Sequence, residues 1–510
     1  MIRKALPLLL AALLIHLALV LPNAPARLPW TMAGPPVELP LVLALLCITG
    51  ARARFIVVPL LSILVILKIA DLAMMGVLGR AFDPLADLPL IDAAMRLISG
   101  SLGVLAAVGV AVSAIVLAAI IVAGLWWATG RWAGVRWSAA QKFALFGVAT
   151  AILLLGYPYA KASVYALSRI ETARQTHAEL RLLRVAADKD PFLSQNGLLS
   201  AIDRDVLVIF VESYGRGSFE TPFYAERHLA TLRQAEGRLA GAGLKMRSGF
   251  LRSPTQGGQS WLAHATFANG LWIKDQASYG TLLRSGRQGL FHYARRAGFS
   301  TLAVMPAITR AWPESASMGF DRVLAADDLG YRGKPFDWVT MPDQFTLAAI
   351  DRLVLGGKDR PRKFVQVALI SSHAPWVPVP WMLSWDGLGD GTEFDAMTHA
   401  SETPEVVWRD PVKVRESYRD ALDYALQAVF GYVELHAADA PLIFVLGDHQ
   451  TAQGIAPDGG RDVPLHVIGP QALVARTAAW GLQPGLVPPM ADPIPMDRMR
   501  DLILGSFSDP

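Results

Sequence analysis

The sequence predicts an α-helical membrane bundle of five helices followed by an α/β domain, with a mostly parallel sheet flanked by helices. Three observations carry this reading. Long apolar runs crowd the first 167 residues. From Gly197 onwards, near-continuous apolar runs of strand length alternate with helix-like stretches, the pattern of strands covered on both faces and joined by helices. The 510-residue chain is 53% hydrophobic and 18% charged, with a mean hydropathy of +0.35. Those values exclude a disordered chain and do not suit a wholly water-soluble one.

The apolar runs cover residues 5–21, 32–50, 55–78, 102–128 and 143–165. Each reaches or approaches the roughly 20 residues a membrane helix needs. Arg3 and Lys4 precede the first run as in a signal peptide, but further apolar runs come after it in place of a cleavage site and a soluble domain. An odd number of spans puts the two ends on opposite sides. With the N-terminus inside, the inner segments hold Arg3, Lys4, Arg52, Arg54, Arg131, Arg136 and Lys142 against Arg27, Arg80 and Arg96 outside. That asymmetry predicts a multi-pass protein of the bacterial inner (cell) membrane, with everything after Tyr165 outside the cytoplasm. Lys68 and Asp71 fall within the third run at a spacing that lets them pair on one helix face. Residues 168–190 interleave arginines with leucines and read as an amphipathic helix at the lipid surface or a solvated linker helix. The expected domains are a transmembrane part (1–167), a juxtamembrane linker (168–196) and an extracytoplasmic catalytic part (197–510).

Charge and cysteine content narrow the chemistry. Lys+Arg number 47 and Asp+Glu 43, a net charge of +4 that gives no reason to expect a nucleic-acid partner and fits contact with anionic lipid equally well. The single cysteine, Cys47, lies in an apolar run, which rules out an internal disulfide framework and a cysteine-rich metal site. A metal must then be held by oxygen and imidazole ligands.

Strand-like runs are expected at 205–211, 301–305, 364–370, 442–446 and 463–468, with helices at 282–297, 344–355 and 412–436. Polar residues come directly after three of the strands: Glu212 and Ser213; Ser371, Ser372 and His373; Asp448 and His449. Ligands of open α/β sheets bind at the carboxyl ends of the strands. Glu212, His373 and Asp448-His449, delivered by three strands to one edge, therefore form a candidate oxygen/nitrogen site for Mn²⁺ or Zn²⁺. Taken singly, Glu212 also fits a helix cap, Asp448-His449 a turn, and His373 a loop-carbonyl partner. Ser260 comes after Gly257-Gly258 at the expected start of a helix, where free N–H groups favour an anion. It is either a nucleophilic hydroxyl beside the metal or an N-cap.

Four motifs together resemble the sulfatase/alkaline-phosphatase superfamily: Val-Ile-Phe-Val-Glu-Ser-Tyr ending at Tyr214; Gly-Gly-Gln-Ser with Asn269-Gly270-Leu271-Trp272 downstream; Ser-Ser-His-Ala-Pro-Trp ending at Trp376; and Leu-Gly-Asp-His ending at His449. With the five-span layout they are most similar to its lipoteichoic-acid-synthase-like branch of phosphoglycerol transferases. The resemblance implies Glu212, Ser260, Asp448 and His449 as metal ligands and Ser260 as nucleophile, where the family usually has Thr; Thr255 and Thr266 are the alternatives. It further implies His373 as a catalytic substrate-site histidine, and Trp312, Arg310 and Trp376 as substrate-binding residues. Two family residues are missing: Pro306 stands nearest the expected histidine, and the expected arginine after the tryptophan is replaced by Arg310 nearby.

The implied function moves a phosphoglycerol-type head group from a phospholipid, expected to be phosphatidylglycerol, to a hydroxyl on an envelope glycan or lipid, through a phospho-serine. The alternatives are a sulfate- or phosphate-ester hydrolase and a non-enzymatic membrane scaffold or sensor. The sulfatase motif Cys/Ser-x-Pro-x-Arg is absent, since Ser253-Pro254-Thr255 lacks its spacing and arginine. The phosphoethanolamine-transferase branch uses extracytoplasmic disulfides that this chain cannot make.

Overall fold

The computed structural model describes all residues except 1, 25–35, 79, 155–160, 337–339, 357–359, 457–459 and 510. The chain divides into two compact units, Met1–Glu179 and Leu180–Pro510.

The first unit is helical: α1 (Ile2–Val20), α2 (Glu38–Thr49), α3 (Ala51–Leu78), α4 (Ile91–Leu102), α5 (Val104–Ala133), α6 (Ala139–Leu154) and the start of α7 (Ala162–Asp188). Among the described residues, two helices are long and apolar enough to cross a membrane, in Ala51–Gly76 and Val104–Ala133, rather than the five expected. The reason is length. At about 1.5 Å per residue, the 12 residues of α2 cover roughly 18 Å of a hydrocarbon layer about 30 Å thick. The fifth expected run falls partly outside the described residues: α6 is described as far as Leu154, and Tyr165 belongs to α7. Residues 32–35 of the second run, 155–160 of the fifth, and Arg27 lie outside the described residues. Large apolar side chains face outward on α3 and α5, among them Phe55, Leu60, Leu105, Ile115 and Ile120. A surface that apolar suits lipid, not water.

Lys68 and Asp71 are both buried but do not pair with each other as the spacing predicts. Lys68 Nζ donates to the Leu19 carbonyl (2.9 Å). Asp71 accepts from the Tyr165 hydroxyl (2.9 Å) and the Phe82 N–H (3.0 Å). Tertiary partners on other elements win over a neighbour on the same helix.

The second unit is an α/β domain around one mixed sheet. In chain order its strands and main helices are β1 (Val206–Val211), α8 (Pro222–Gly241), β2 (Lys245–Arg252), α9 (Ser260–Asn269), α10 (Gln276–Leu283), α11 (Leu290–Arg296), β3 (Ser300–Met305), β4 (Arg322–Ala325), α12 (Asp343–Ile350), β5 (Lys363–Ala368), α13 (Pro411–Leu435), β6 (Leu442–Gly447), β7 (Asp462–Gly469), β8 (Gln483–Pro484), β9 (Ile494–Pro495) and α14 (Met499–Ser506). The sheet order is β4-β3-β5-β1-β6-β7-β2-β8, with β9 paired to β2. The first five strands run parallel. Beyond β6 the sheet turns antiparallel through β7, β2 and β8; the sequence reading expects β7 at 463–468 but not β2, β8 or the antiparallel pairing. The expected helix over 282–297 is two, α10 and α11, separated by a turn around Gly289. Every residue of β1 and β6 is buried, so both faces of the sheet centre are covered, as their β-branched and aromatic runs require. Asp410 starts α13 by accepting the Val412 N–H, with Pro411 at the first helical position.

The last helix is tied back to the start of this unit by a buried ion pair. Arg500 is fully buried, and its Nη1 lies 3.0 Å from Asp190 Oδ2, which also accepts from the Tyr293 hydroxyl (2.7 Å). Burial pushes the Asp190 carboxyl upward, but the Tyr293 hydroxyl and Arg500 overcome this and leave it below the ordinary value. Asp190→Ala removes the buried anion that Arg500 and the nearby Arg287 share and, among the described residues, leaves Arg500 only the half-exposed Asp501 carboxylate at 2.7 Å. Its expected cost is about 3–5 kcal/mol, read as a lowered thermal midpoint of the domain. Because the folded pKa is depressed, the carboxylate's contribution is complete above the unfolded value of roughly 3.9 and is lost as pH falls through the folded value. The gap between wild type and variant should therefore close below that pH.

Candidate active site

The order β5-β1-β6 explains why three distant motifs meet. These neighbours run parallel, so their carboxyl ends lie on one edge, and Val211 pairs with Gly447 in register. The next residues, Glu212 and Asp448, leave the sheet side by side. Gly447 is required there, because a Cβ would stand 1.8 Å from the Tyr214 carbonyl oxygen. Ser213 adopts a left-handed backbone (φ 56°), and its carbonyl accepts from the buried Tyr418 hydroxyl (2.9 Å).

One oxygen of Asp448 is held by the protein. Its Oδ1 accepts the Ser213 N–H (2.9 Å) and its neighbour His449's N–H (2.7 Å). The other, Oδ2, faces His449 Nε2 at 3.7 Å. His449 Nδ1 donates to the Gln450 carbonyl (3.0 Å), which directs Nε2 at the site. That Nε2 lies 3.3 Å from Glu212 Oε1. Glu212, Asp448 and His449 are all buried, and one ligand atom of each lies within 4.8 Å of the others. Burial first, then the Glu212 charge, pushes Asp448 up to about 8. Burial opposes the protonation of His449, but the two carboxylates outweigh it and raise the imidazole to about 9. Glu212 moves the other way: burial raises it, and His449 overcomes that to hold the carboxyl well below its usual range. Buried acids that compete for positive charge mark a cavity built for a cation. Two carboxylates, one imidazole and the adjacent Ser260 hydroxyl fit a divalent ion.

Ser260 is the first residue of α9. Its Oγ donates to Glu212 Oε2 (3.1 Å) and stands 3.3 Å from His449 Nε2. The preceding Gln259 holds a left-handed φ of 66° and provides no side-chain cap. Ser260 is therefore not the N-cap, and its hydroxyl points at the cation site. The alternative nucleophiles are engaged elsewhere. Thr255 donates to the Gly258 carbonyl (2.6 Å), and Thr266 to the Leu262 carbonyl within its helix (2.7 Å).

His373 is half-buried beyond the end of β5, and its charge reaches Glu212. The turn carrying it is fastened to β1, because Ser372 Oγ donates to the Glu212 carbonyl (2.6 Å). Trp376 departs from its expected role. It is 3% exposed, stacks on Trp408 at 5.6 Å, and donates to the Ser372 carbonyl (2.8 Å). A ring covered on this scale supports the His373 turn and has no face for a substrate. Arg310 is exposed and Trp312 half-buried against Phe320, and among the described residues neither bonds to the Glu212–Asp448–His449 group.

The sequence reading missed His264, one helical turn after Ser260. Its ring lies 4.1 Å from that of Phe210, and its Nε2 has no hydrogen-bond partner. Burial pushes it down to about 3, so it is neutral beside the site. The Ser260/His264 spacing of four was the available signal.

The sulfatase family model matches residues 204–478. No curated protein matches the chain. Among solved structures, the chain is similar to the lipoteichoic acid synthase LtaP from Listeria monocytogenes, at 12% identity and TM-score 0.40, covering 64% of this chain and 81% of that one. It is also similar to the Streptococcus pyogenes phosphoglycerol transferase GacH in complex with sn-glycerol-1-phosphate, at 15% identity and TM-score 0.36, covering 59% and 75%. The C-terminal periplasmic domain of EcEptC from Escherichia coli aligns at 16% identity and TM-score 0.35, covering 60% and 89%.

Proposed function

The chain belongs to the sulfatase family, and on that premise we propose that it is a membrane-bound, metal-dependent phosphotransferase that moves a phosphoglycerol-type head group from a phospholipid to a hydroxyl acceptor. The carrying observation is the Ser260 hydroxyl, 3.1 Å from Glu212 and at the start of α9. It is an alcohol nucleophile in a context that lacks the formylglycine motif of sulfate-ester hydrolases. The apolar first unit favours a lipid donor, with phosphatidylglycerol as the first candidate. The acceptor is a glycan or lipid of the cell envelope.

Glu212, Asp448, His449 and Ser260 would hold Mn²⁺ or Zn²⁺, both of which suit mixed carboxylate and imidazole ligands. Such an ion supplies charge that lowers the pKa of a neighbouring hydroxyl and offsets the phosphoryl oxygens. Ser260 Oγ attacks phosphorus, the bond to the diacylglycerol oxygen breaks, and a phospho-serine forms. His373 supplies a proton to the departing oxygen and later takes one from the acceptor hydroxyl. That hydroxyl then attacks phosphorus and releases Ser260. The first-turn N–H groups of α9 favour the anion held over Ser260.

Purified protein incubated with head-group-labelled phosphatidylglycerol is expected to release diacylglycerol and to carry label on Ser260. An untouched lipid alongside turnover of a soluble sulfate or phosphate ester would favour the hydrolase reading. The proposal also requires the domain to face outward, where an outer-leaflet head group is within reach. A C-terminal reporter active only outside the cytoplasm is expected to be on, and one active only inside to be off. The reverse pattern would mean an even number of crossings and would remove the donor from the site.

A further inference from the structure

Asp343 plays no part in the chemistry above, yet it is fully buried and stands behind the catalytic turn. It opens α12, the helix that packs beside β5. Its Oδ1 accepts two backbone N–H groups, from Ile370 (2.8 Å) and Ser371 (2.9 Å). Its own N–H donates to Ser371 Oγ (2.9 Å). Three bonds thus join one residue to the two positions at which the chain leaves β5. Its other oxygen, Oδ2, is buried without a partner.

Ile370 and Ser371 lead directly into the turn that carries His373. The His373 N–H donates to the Ile370 carbonyl (3.0 Å) and closes that turn tightly. Within it, Ser372 ties the backbone to the Glu212 carbonyl. Gln344, next to Asp343, bonds the Leu383 carbonyl (2.7 Å) and N–H (3.0 Å), fixing the far end of the loop. Asp343 therefore holds the turn from behind while Ser372 holds it from the metal side. A buried polar side chain that accepts two backbone N–H groups of one turn does more than fill space, because without it both donors are left unpaired.

We propose that Asp343 is a positioning residue: it fixes the 370–373 turn so that the His373 imidazole stands over Ser260. This rests on the assignment of His373 as the proton-handling residue of the transfer reaction. Asparagine retains a carbonyl oxygen for both N–H groups, whereas alanine leaves two buried donors unpaired.

The test uses the full-length protein in detergent and compares Asp343→Ala, Asp343→Asn, His373→Ala and the Asp343→Ala/His373→Ala double variant. Asp343→Ala is expected to lower kcat about 10- to 100-fold with metal content and KM unchanged, and Asp343→Asn to restore most of it. In the His373→Ala background the Asp343→Ala change should have little further effect, because both act through the same imidazole. An equal loss in both backgrounds, or loss of metal from Asp343→Ala, would overturn the proposal. Amide exchange separates this failure from failure of the transferase reading. Whatever the substrate, Asp343→Ala should speed exchange at Ile370 and Ser371 and spare the segment around Asp448. Unchanged exchange there would refute the proposal even with the reaction established.

Discussion

Replacing Ser260 with alanine is expected to abolish turnover, by about 10⁴-fold or more, while the protein folds and keeps its cation ligands Glu212, Asp448 and His449. The structural cost should be small. Ser260 occupies the first position of α9, where alanine is well tolerated, and its hydroxyl caps nothing. Among the described residues its hydroxyl engages the site itself, donating to Glu212 and approaching His449. Ser260→Thr keeps a hydroxyl at the same place and should remain active. Release of diacylglycerol and covalent labelling of the protein are the two readouts. Turnover at the wild-type rate in the alanine variant would remove Ser260 from the mechanism. Thr255 and Thr266 could not easily replace it, since both hydroxyls are engaged with backbone carbonyls.

Asp448 is the second point of large effect. Asp448→Ala is expected to lose the bound divalent ion and all activity, and it also unpairs two buried backbone donors, on Ser213 and His449. Each unpaired donor costs about 1–3 kcal/mol, so this variant is destabilised as well as inactive. Asp448→Asn separates the two effects. Its amide oxygen can still accept both N–H groups, but the negative charge is gone. Elemental analysis should find little metal in either variant, while thermal unfolding should find the asparagine variant close to wild type. Equal metal content in wild type and the asparagine variant would take Asp448 out of the cation site.

Much of the site was legible because parallel strands deliver the residues beyond their carboxyl ends to one edge. Glu212 after Ile-Phe-Val, and Asp448-His449 after Phe-Val-Leu-Gly, needed only the correct strand ends to be placed together. The residues that escaped did so for physical reasons. β2 carries Lys245 and Arg252, whose side chains are exposed, and Arg247, which bonds the Leu482 carbonyl, while Phe250 and Leu251 fill the core, so its hydropathy never rises to that of a central strand. Trp376 sits inside a recognisable motif, but a motif does not say whether a ring faces a ligand or a neighbour, and Trp408 covers it. Lys68 and Asp71 have the spacing of a pair, yet spacing is silent about Leu19 and Tyr165, which reach them from other helices. His264 gave only its spacing from Ser260 as a signal, and Asp343 gave none, because its bonds to Ile370 and Ser371 reach across 27 and 28 positions of sequence separation. Among the described residues two helices, not five, are long and apolar enough to span, because an apolar run does not reveal how much of it one helix takes up.

The pairing of β1 with β6 has a temporal consequence. Ser213 and Asp448 touch at a sequence separation of 235. Closing so long a loop is slow compared with forming local helices, and it requires β6 to have been synthesised. A nascent chain that has completed α9 already carries its nucleophile, but it has only one of the two carboxylates that would activate it. The hydroxyl stays inert until the central strands join. Chains that stall, or are cut before residue 447, lack Asp448 and His449, so the candidate site exists only once assembly of the sheet is complete.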